Sequence, residues 1–140
     1  MHRLVSLLLL GALSGCALLP APGWIENPPL EEGWIYAVGS AGVTFDKNPA
    51  TSEDLALQRA LDQLARQIRV QVTTHVSLTD TERASQFTSE TSQFSEEELE
   101  WVQIRKKWVD RSGKLGDRGR VYVLVRMTDA NARRTGVART

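Results

Sequence analysis

The chain has 140 residues, 41% of them hydrophobic and 24% charged, with 17 Lys plus Arg against 17 Asp plus Glu. That balance argues against a nucleic-acid binder, which would carry a basic excess, and no nucleic-acid partner is expected. About 125 residues remain once a short N-terminal leader is set aside. They are enough for one domain that buries most of its surface, and no internal repeat is visible.

The leader comes first in the chain. Met1-His2-Arg3 gives a positive start, Leu4 to Leu13 gives an apolar run of ten residues, and small residues precede Cys16, the only cysteine. Charge, apolar stretch and small-residue cleavage site, in that order, make a secretory signal. The run is too short to span a bilayer, which needs roughly 20 apolar residues. Leu13-Ser14-Gly15-Cys16 also matches the bacterial lipobox, in which the cysteine thiol is acylated and becomes the new N-terminus. The competing readings are an ordinary cleaved signal with an incidental cysteine, and a short buried helix. On the lipobox reading, residues 1–15 are a signal peptide and 16–23 a lipidated tether. Residues 24–128 are a single α+β domain, and 129–140 a short basic tail. Cleavage removes Arg3 and leaves a mature charge of about −1. A lipid on Cys16 leaves the folded part without any thiol, so no disulfide, thiolate metal ligand or cysteine nucleophile is expected there. The covalent lipid is the sole attached group expected, and no other cofactor is. Ala17, rather than Asp, follows the cysteine and resembles the sorting signal for export to the outer membrane.

Pro20, Pro22 and Gly23 read as tether, and Trp24-Ile25 with Pro28-Pro29 as ordered, non-helical chain. Trp34-Ile35-Tyr36-Ala37-Val38-Gly39 is rich in strand formers and predicts a first strand. Thr51 or Ser52 is expected to cap a helix with Glu53 and Asp54 in its first turn. Leu57, Ala60, Leu61, Leu64, Ala65 and Ile68 form its apolar stripe. From Ile68 the period changes: Val70, Val72, Thr74, Val76 and Leu78 alternate with polar residues, which predicts a second, half-buried strand. Residues 79–95 read as a second, short helix, with Ala84, Phe87, Thr91 and Phe94 at helical spacing, or as an irregular Ser/Thr-rich excursion. A hairpin follows, with arms over 99–110 and 120–127 and a polar loop over 111–119. Asp129 is expected to cap the tail. The fold class is therefore α+β: one long helix packed on an antiparallel sheet of three to four strands.

The sequence offers little to a catalytic reading. His75 is the only histidine after the leader, and zinc needs three or four convergent ligands. Ser40, in Val38-Gly39-Ser40-Ala41-Gly42, has the look of a nucleophile elbow, but Val38 stands where glycine belongs. Gly39 and Gly42 do not have phosphate-loop spacing. Glu96-Glu97-Glu98 with Glu100 does not have the spacing of a calcium loop and reads as a solvated acidic turn. Arg105-Lys106-Lys107 and Arg133-Arg134 read as solvated basic faces that are able to touch anionic head groups. No catalytic, cofactor-binding or metal residues are assigned, and the chain is not expected to be an enzyme.

The strands carry the functional signal. The first places Trp34, Tyr36 and Val38 on one side and Ile35 and Ala37 on the other. The last places Val121, Val123, Val125 and Met127 opposite Tyr122 and Leu124. One helix covers one sheet face, so the second face needs its own cover. Segment 24–29, the second helix and a neighbouring subunit all qualify. Trp34, Tyr36, Tyr122 and Leu124 are the candidate interaction surface.

Several blocks together resemble the Lpp-twenty family of bacterial lipoproteins. They are Trp24-Ile25 with Pro28-Pro29, Tyr36-Ala37-Val38-Gly39-Ser40-Ala41, the Ala60…Leu64-Ala65 helix running into Ile68-Arg69-Val70, and Trp108-Val109-Asp110…Gly113…Val121-Tyr122-Val123-Leu124-Val125. The resemblance covers Trp24 to about Met127. It implies an outer-membrane lipoprotein with a dodecin-like β-α-β-β domain and no established enzymatic activity. Some relatives build disks or rings around the flagellar motor, and others are surface antigens. This chain departs from the pattern in its short, arginine-rich end after Met127.

The expected function is a structural or assembly role in the cell envelope, with the domain facing the periplasm. The expected partners are the outer membrane, through the lipid, and either further copies of the chain or an envelope protein. The alternative is a monomeric adaptor or secreted antigen that binds a protein or small ligand through the sheet face.

Overall fold

The computed structural model describes residues 20–76 and 94–138. Within them, a strand is followed by a long helix and then by a hairpin. β1 (Trp34–Ala41) pairs antiparallel with β3 (Arg120–Thr128), which pairs antiparallel with β2 (Gln103–Asp110), in the spatial order β1-β3-β2. Helix α1 (Pro49–Val76) lies across one face. The fold is α+β, a helix on a three-stranded antiparallel sheet.

The start of α1 is set earlier than Thr51 or Ser52. Asn48 Oδ1 accepts from Ala50 N at 3.0 Å, and Pro49 supplies a φ already suited to the first helical position. Thr51 instead donates its hydroxyl to Asp46 at 2.7 Å. Glu53 and Asp54 thus fall beyond the first turn, which holds no acidic residue. Glu53 pairs with Lys107 of β2.

The expected second strand does not form over residues 68–76, because α1 continues through them to Val76. No Gly or Pro occurs between Ala50 and Val76 to stop the helix. A β-branched residue costs a growing helix no more than about 0.7 kcal/mol, whereas a new strand there has no turn to start it. Val70, assigned inward on the strand reading, is exposed on the helix.

The expected helix over 79–95 lies outside the described residues except for Phe94 and Ser95. Phe94 is buried in the core. Ser95 begins α2 (Glu96–Leu99) with a capping box: its hydroxyl accepts from Glu98 N at 3.2 Å, and the Glu98 carboxylate accepts from Ser95 N at 3.0 Å. Glu96 and Glu97 are exposed, as expected of an acidic turn.

After β3 the chain does not trail away. Thr128, rather than Asp129, caps α3 (Asp129–Ala132) by accepting from Asn131 N at 3.2 Å. A 3₁₀ turn over Gly136–Ala138 then buries Val137 against the core. Ala132 and Thr135 are buried too, so the basic C-terminal stretch packs on the domain.

The core lies between α1 and the inner sheet face. Ile35, Ala37 and Ala41 of β1 and Val121, Val123, Val125 and Met127 of β3 meet Ala56, Ala60, Leu64, Ala65 and Ile68 of α1. Gly39 sets the spacing. A Cβ there would overlap Ala56 O and Ala60 N, so the alanine side of the helix rests directly on the strand backbone.

Candidate interaction surface

The outer sheet face follows from the register. Val38, Leu124 and Lys106 form its middle row, flanked by Tyr36–Arg126–Gln103 on one side and Ser40–Tyr122–Trp108 on the other. Trp34 stands beyond Tyr36 on the edge strand. The four candidate residues Trp34, Tyr36, Tyr122 and Leu124 therefore do share one face.

They do not form an open apolar patch. Leu124 is 1% exposed, Tyr122 7% and Tyr36 9%, while Trp34 is half-buried. Part of the cover comes from the N-terminal lead-in. Tyr36 OH donates to Glu31 Oε2 at 2.5 Å, and Arg126 donates to that same oxygen at 3.3 Å and to Tyr36 OH at 3.0 Å. Arg126 also donates to Gln103 Oε1 at 3.0 Å and lays its guanidinium over Trp34, 3.7 Å from the ring centroid. Trp108 packs on Tyr122 with ring centroids 5.7 Å apart. Burial pushes the Tyr122 phenol above its ordinary range. A partner would have to displace these groups to reach Leu124, so the surface is closed within the chain.

Cys16 lies outside the described residues. His75 falls in the last turn of α1 rather than on a strand. Ser40 Oγ accepts from Arg120 at 3.4 Å, with the Ser40 carbonyl held by Arg59 at 2.8 Å. Lys107 of the basic run is paired with Glu53, and Arg134 stacks on Trp101 at 5.1 Å. Among the described residues, no cluster of His, Cys, Asp and Glu could hold a metal ion, and no helix is long and apolar enough to cross a membrane. An open apolar depression of about 490 Å³ runs along α1, lined by Thr51, Asp54, Leu55, Leu57, Gln58 and Leu61.

One ordering residue has only a weak sequence signal, an Asp with a Gly three positions on. Asp110 is fully buried at the end of β2. Its carboxylate accepts from Lys114 N at 2.8 Å, Leu115 N at 2.7 Å and Gly116 N at 3.3 Å, and its carbonyl accepts from Gly119 N at 2.8 Å. Burial pushes its pKa upward, but the peptide donors outweigh burial and hold it below the ordinary carboxylate value. Asp110 thereby ties the hairpin loop to the sheet end.

Residues 22–128 match the sequence model of a family described as LPP20 lipoprotein. The chain belongs to the LPP20 lipoprotein family. The LPP20 match starts in the lead-in that carries Glu31 and ends on Thr128, the last residue of β3; α3 and the 3₁₀ turn lie beyond it. The family identifies the chain as an envelope lipoprotein and has no established enzymatic activity. Among solved structures, the chain is similar to the secreted protein HP1454 from Helicobacter pylori, at 18% identity and a TM-score of 0.40. That alignment covers 74% of this chain and 34% of HP1454, so this chain spans about a third of that one. No curated protein matches.

Proposed function

We propose that this LPP20 protein is a non-enzymatic lipoprotein of the outer membrane, acylated on Cys16. On this reading it faces the periplasm and serves in assembly of the envelope. The observation that carries it is Leu13-Ser14-Gly15-Cys16, behind a charged start and a ten-residue apolar run, in a member of a lipoprotein family. Three acyl chains on the mature cysteine would hold it firmly, since one chain alone anchors only marginally. The test is mass spectrometry of the N-terminal peptide from membranes of expressing cells. A diacylglyceryl-modified, N-acylated Cys16 supports the reading; an unmodified, freely soluble polypeptide defeats it. Fractionation of inner and outer membranes then decides the location.

The assembly role rests on self-association of the anchored domain. A ring or disk around the flagellar motor is one form it could take, and flagellar genes next to this one would favour it. The apolar depression along Leu55, Leu57 and Leu61 supports a second reading, a monomeric adaptor that docks a foreign envelope protein. Co-purification separates the two: the adaptor gives a stoichiometric foreign partner, and the assembly role gives copies of this chain.

A further inference from the structure

We propose that copies of this chain associate head to tail, the basic end of one domain docking on the acidic end of the next. This rests on the assembly reading above and names its contact surfaces.

The sheet has two ends. At one, Ala41 pairs with Val121 and the 111–119 loop follows; at the other, Trp34 pairs with Thr128. Eight residues at 3.3 Å each set them roughly 25 Å apart. That exceeds the roughly 8 Å over which charges act at physiological salt, so each end presents its own field.

The loop end is basic. Arg111, Lys114, Arg118 and Arg120 belong to one hairpin. Its two carboxylates remain charged, Asp110 among the loop's peptide donors and Asp117 beside Arg120 at 3.3 Å, and the four cations outnumber them two to one. Nearby, Val43 lies against Gly119, and two residues further on Phe45 is fully exposed. Asp46 on that loop, bonded to Thr44 and Thr51, is offset by its neighbour Lys47.

The opposite end is acidic. Glu31 and Glu32 sit in the lead-in, fixed there by the Glu31–Arg126 contact. Glu96 and Glu97 lie in α2 and Glu100 caps its end, just before β2 begins, and α2 is fixed by Glu98 accepting from Gly136 N at 2.5 Å. The cations near this end include Arg126, committed to Glu31 and Trp34, the Arg133–Arg134 pair, with Arg134 over Trp101, Arg105 of β2, and Arg66 and Arg69 on the part of α1 that runs back to this end, so the acidic cluster is the local one on the lead-in and α2. Leu30 and Leu99 are exposed apolar residues at this end.

Each end thus presents exposed apolar side chains beside a cluster of charge of one sign, and the two signs are opposite. Like ends repel and unlike ends attract, so the surface that complements the loop end is the far end of a second copy. The contact is heterologous. Copies in this arrangement close into a ring when their rotation permits, and otherwise form an open row. The outer sheet face takes no part, in keeping with its burial.

The test uses the full chain in a neutral detergent, followed by sedimentation velocity at low and high salt. Two variants reverse one end each: Arg111→Glu with Arg118→Glu, and Glu96→Lys with Glu97→Lys. Far-UV circular dichroism confirms the fold, and Gln replacements at the same four positions serve if a reversal unfolds the domain. The unmodified chain should associate, and high salt should weaken it by about tenfold or more. Each variant alone should fall to monomer, and an equimolar mixture should reassociate, because acidic and basic copies then meet. Variants that associate as tightly as the unmodified chain overturn the head-to-tail contact but leave the assembly role standing. So does a mixture that stays monomeric. An unmodified chain that is monomeric at every concentration overturns both.

Discussion

Arg126 lies 3.7 Å over the ring of Trp34 while donating to Tyr36 OH and to Glu31. Residues 31, 34, 36 and 126 are thereby drawn into one cluster on the sheet face opposite the helix. The guanidinium joins the lead-in to the last strand and helps seal the face on which Leu124 is buried.

Replacing Arg126 with Ala removes the ring contact and the hydrogen bonds together. A cation–π pair contributes about 0.5–1 kcal/mol even at an exposed site, and this one is mostly buried; hydrogen bonds to a charged group add about 1.5 kcal/mol or more. Urea unfolding should show a loss of about 2 kcal/mol. Arg126→Lys should recover less than half of it, because an ammonium cannot serve Gln103, Tyr36 and Glu31 while lying flat on an indole. Full recovery by Lys would mean that charge alone matters here.

Gly39→Ala should be far worse than an ordinary Gly→Ala change in a strand. The new methyl meets Ala56 O and Ala60 N, which are helix backbone and cannot rotate aside. Overpacking of this kind costs about 1–3 kcal/mol or more. The melting temperature should drop by several degrees, and Ala60→Gly should rescue little of it, because the obstruction is main chain. An unchanged melting temperature would show that α1 does not rest on β1 as described.

Much of this architecture was legible in the residues, and the reasons differ by element. β1 and the hairpin announce themselves through dense β-branched and aromatic residues bounded by glycines. The α1 stripe from Leu57 to Ile68 is a plain helical period. The misread stretch begins at Ile68, where valines and threonines alternate with polar residues. That alternation is a packing signal only when a strand has neighbours to pack on, and here the helix was already propagating with nothing to stop it. The closure of the outer face was legible only in part. Its apolar residues were visible, but the Glu31–Tyr36–Arg126 link joins positions 95 residues apart, and no local pattern encodes it.

Asp110 and Asp46 both have pKa values below the ordinary carboxylate value, Asp110 because peptide donors outweigh burial, and Asp46 through the Thr44 hydroxyl first and then Thr51 and the Asn48 amide. Groups of this kind stabilise the fold above their unfolded pKa of about 4. They release that stability as pH falls through the lower folded value. The urea midpoint should therefore hold steady from pH 7 to about 5 and decline below about 4. Asp110→Asn should flatten part of that decline and also lower the midpoint at pH 7, since a neutral amide oxygen is a weaker acceptor for Lys114, Leu115 and Gly116. A variant with the same acid slope as the parent would remove Asp110 from this role.

Val70 gives the sharpest test of where α1 ends. It is exposed on a helix that runs to Val76, so its branched side chain costs helix propensity and contributes little packing. Val70→Ala should raise stability by about 0.5 kcal/mol. A valine facing inward on a half-buried strand would behave in the opposite sense, because truncating it strips buried methyl groups and costs about 1–3 kcal/mol. The sign of one measured change therefore separates the two structures, and a destabilised Val70→Ala variant would return residues 68–76 to the sheet.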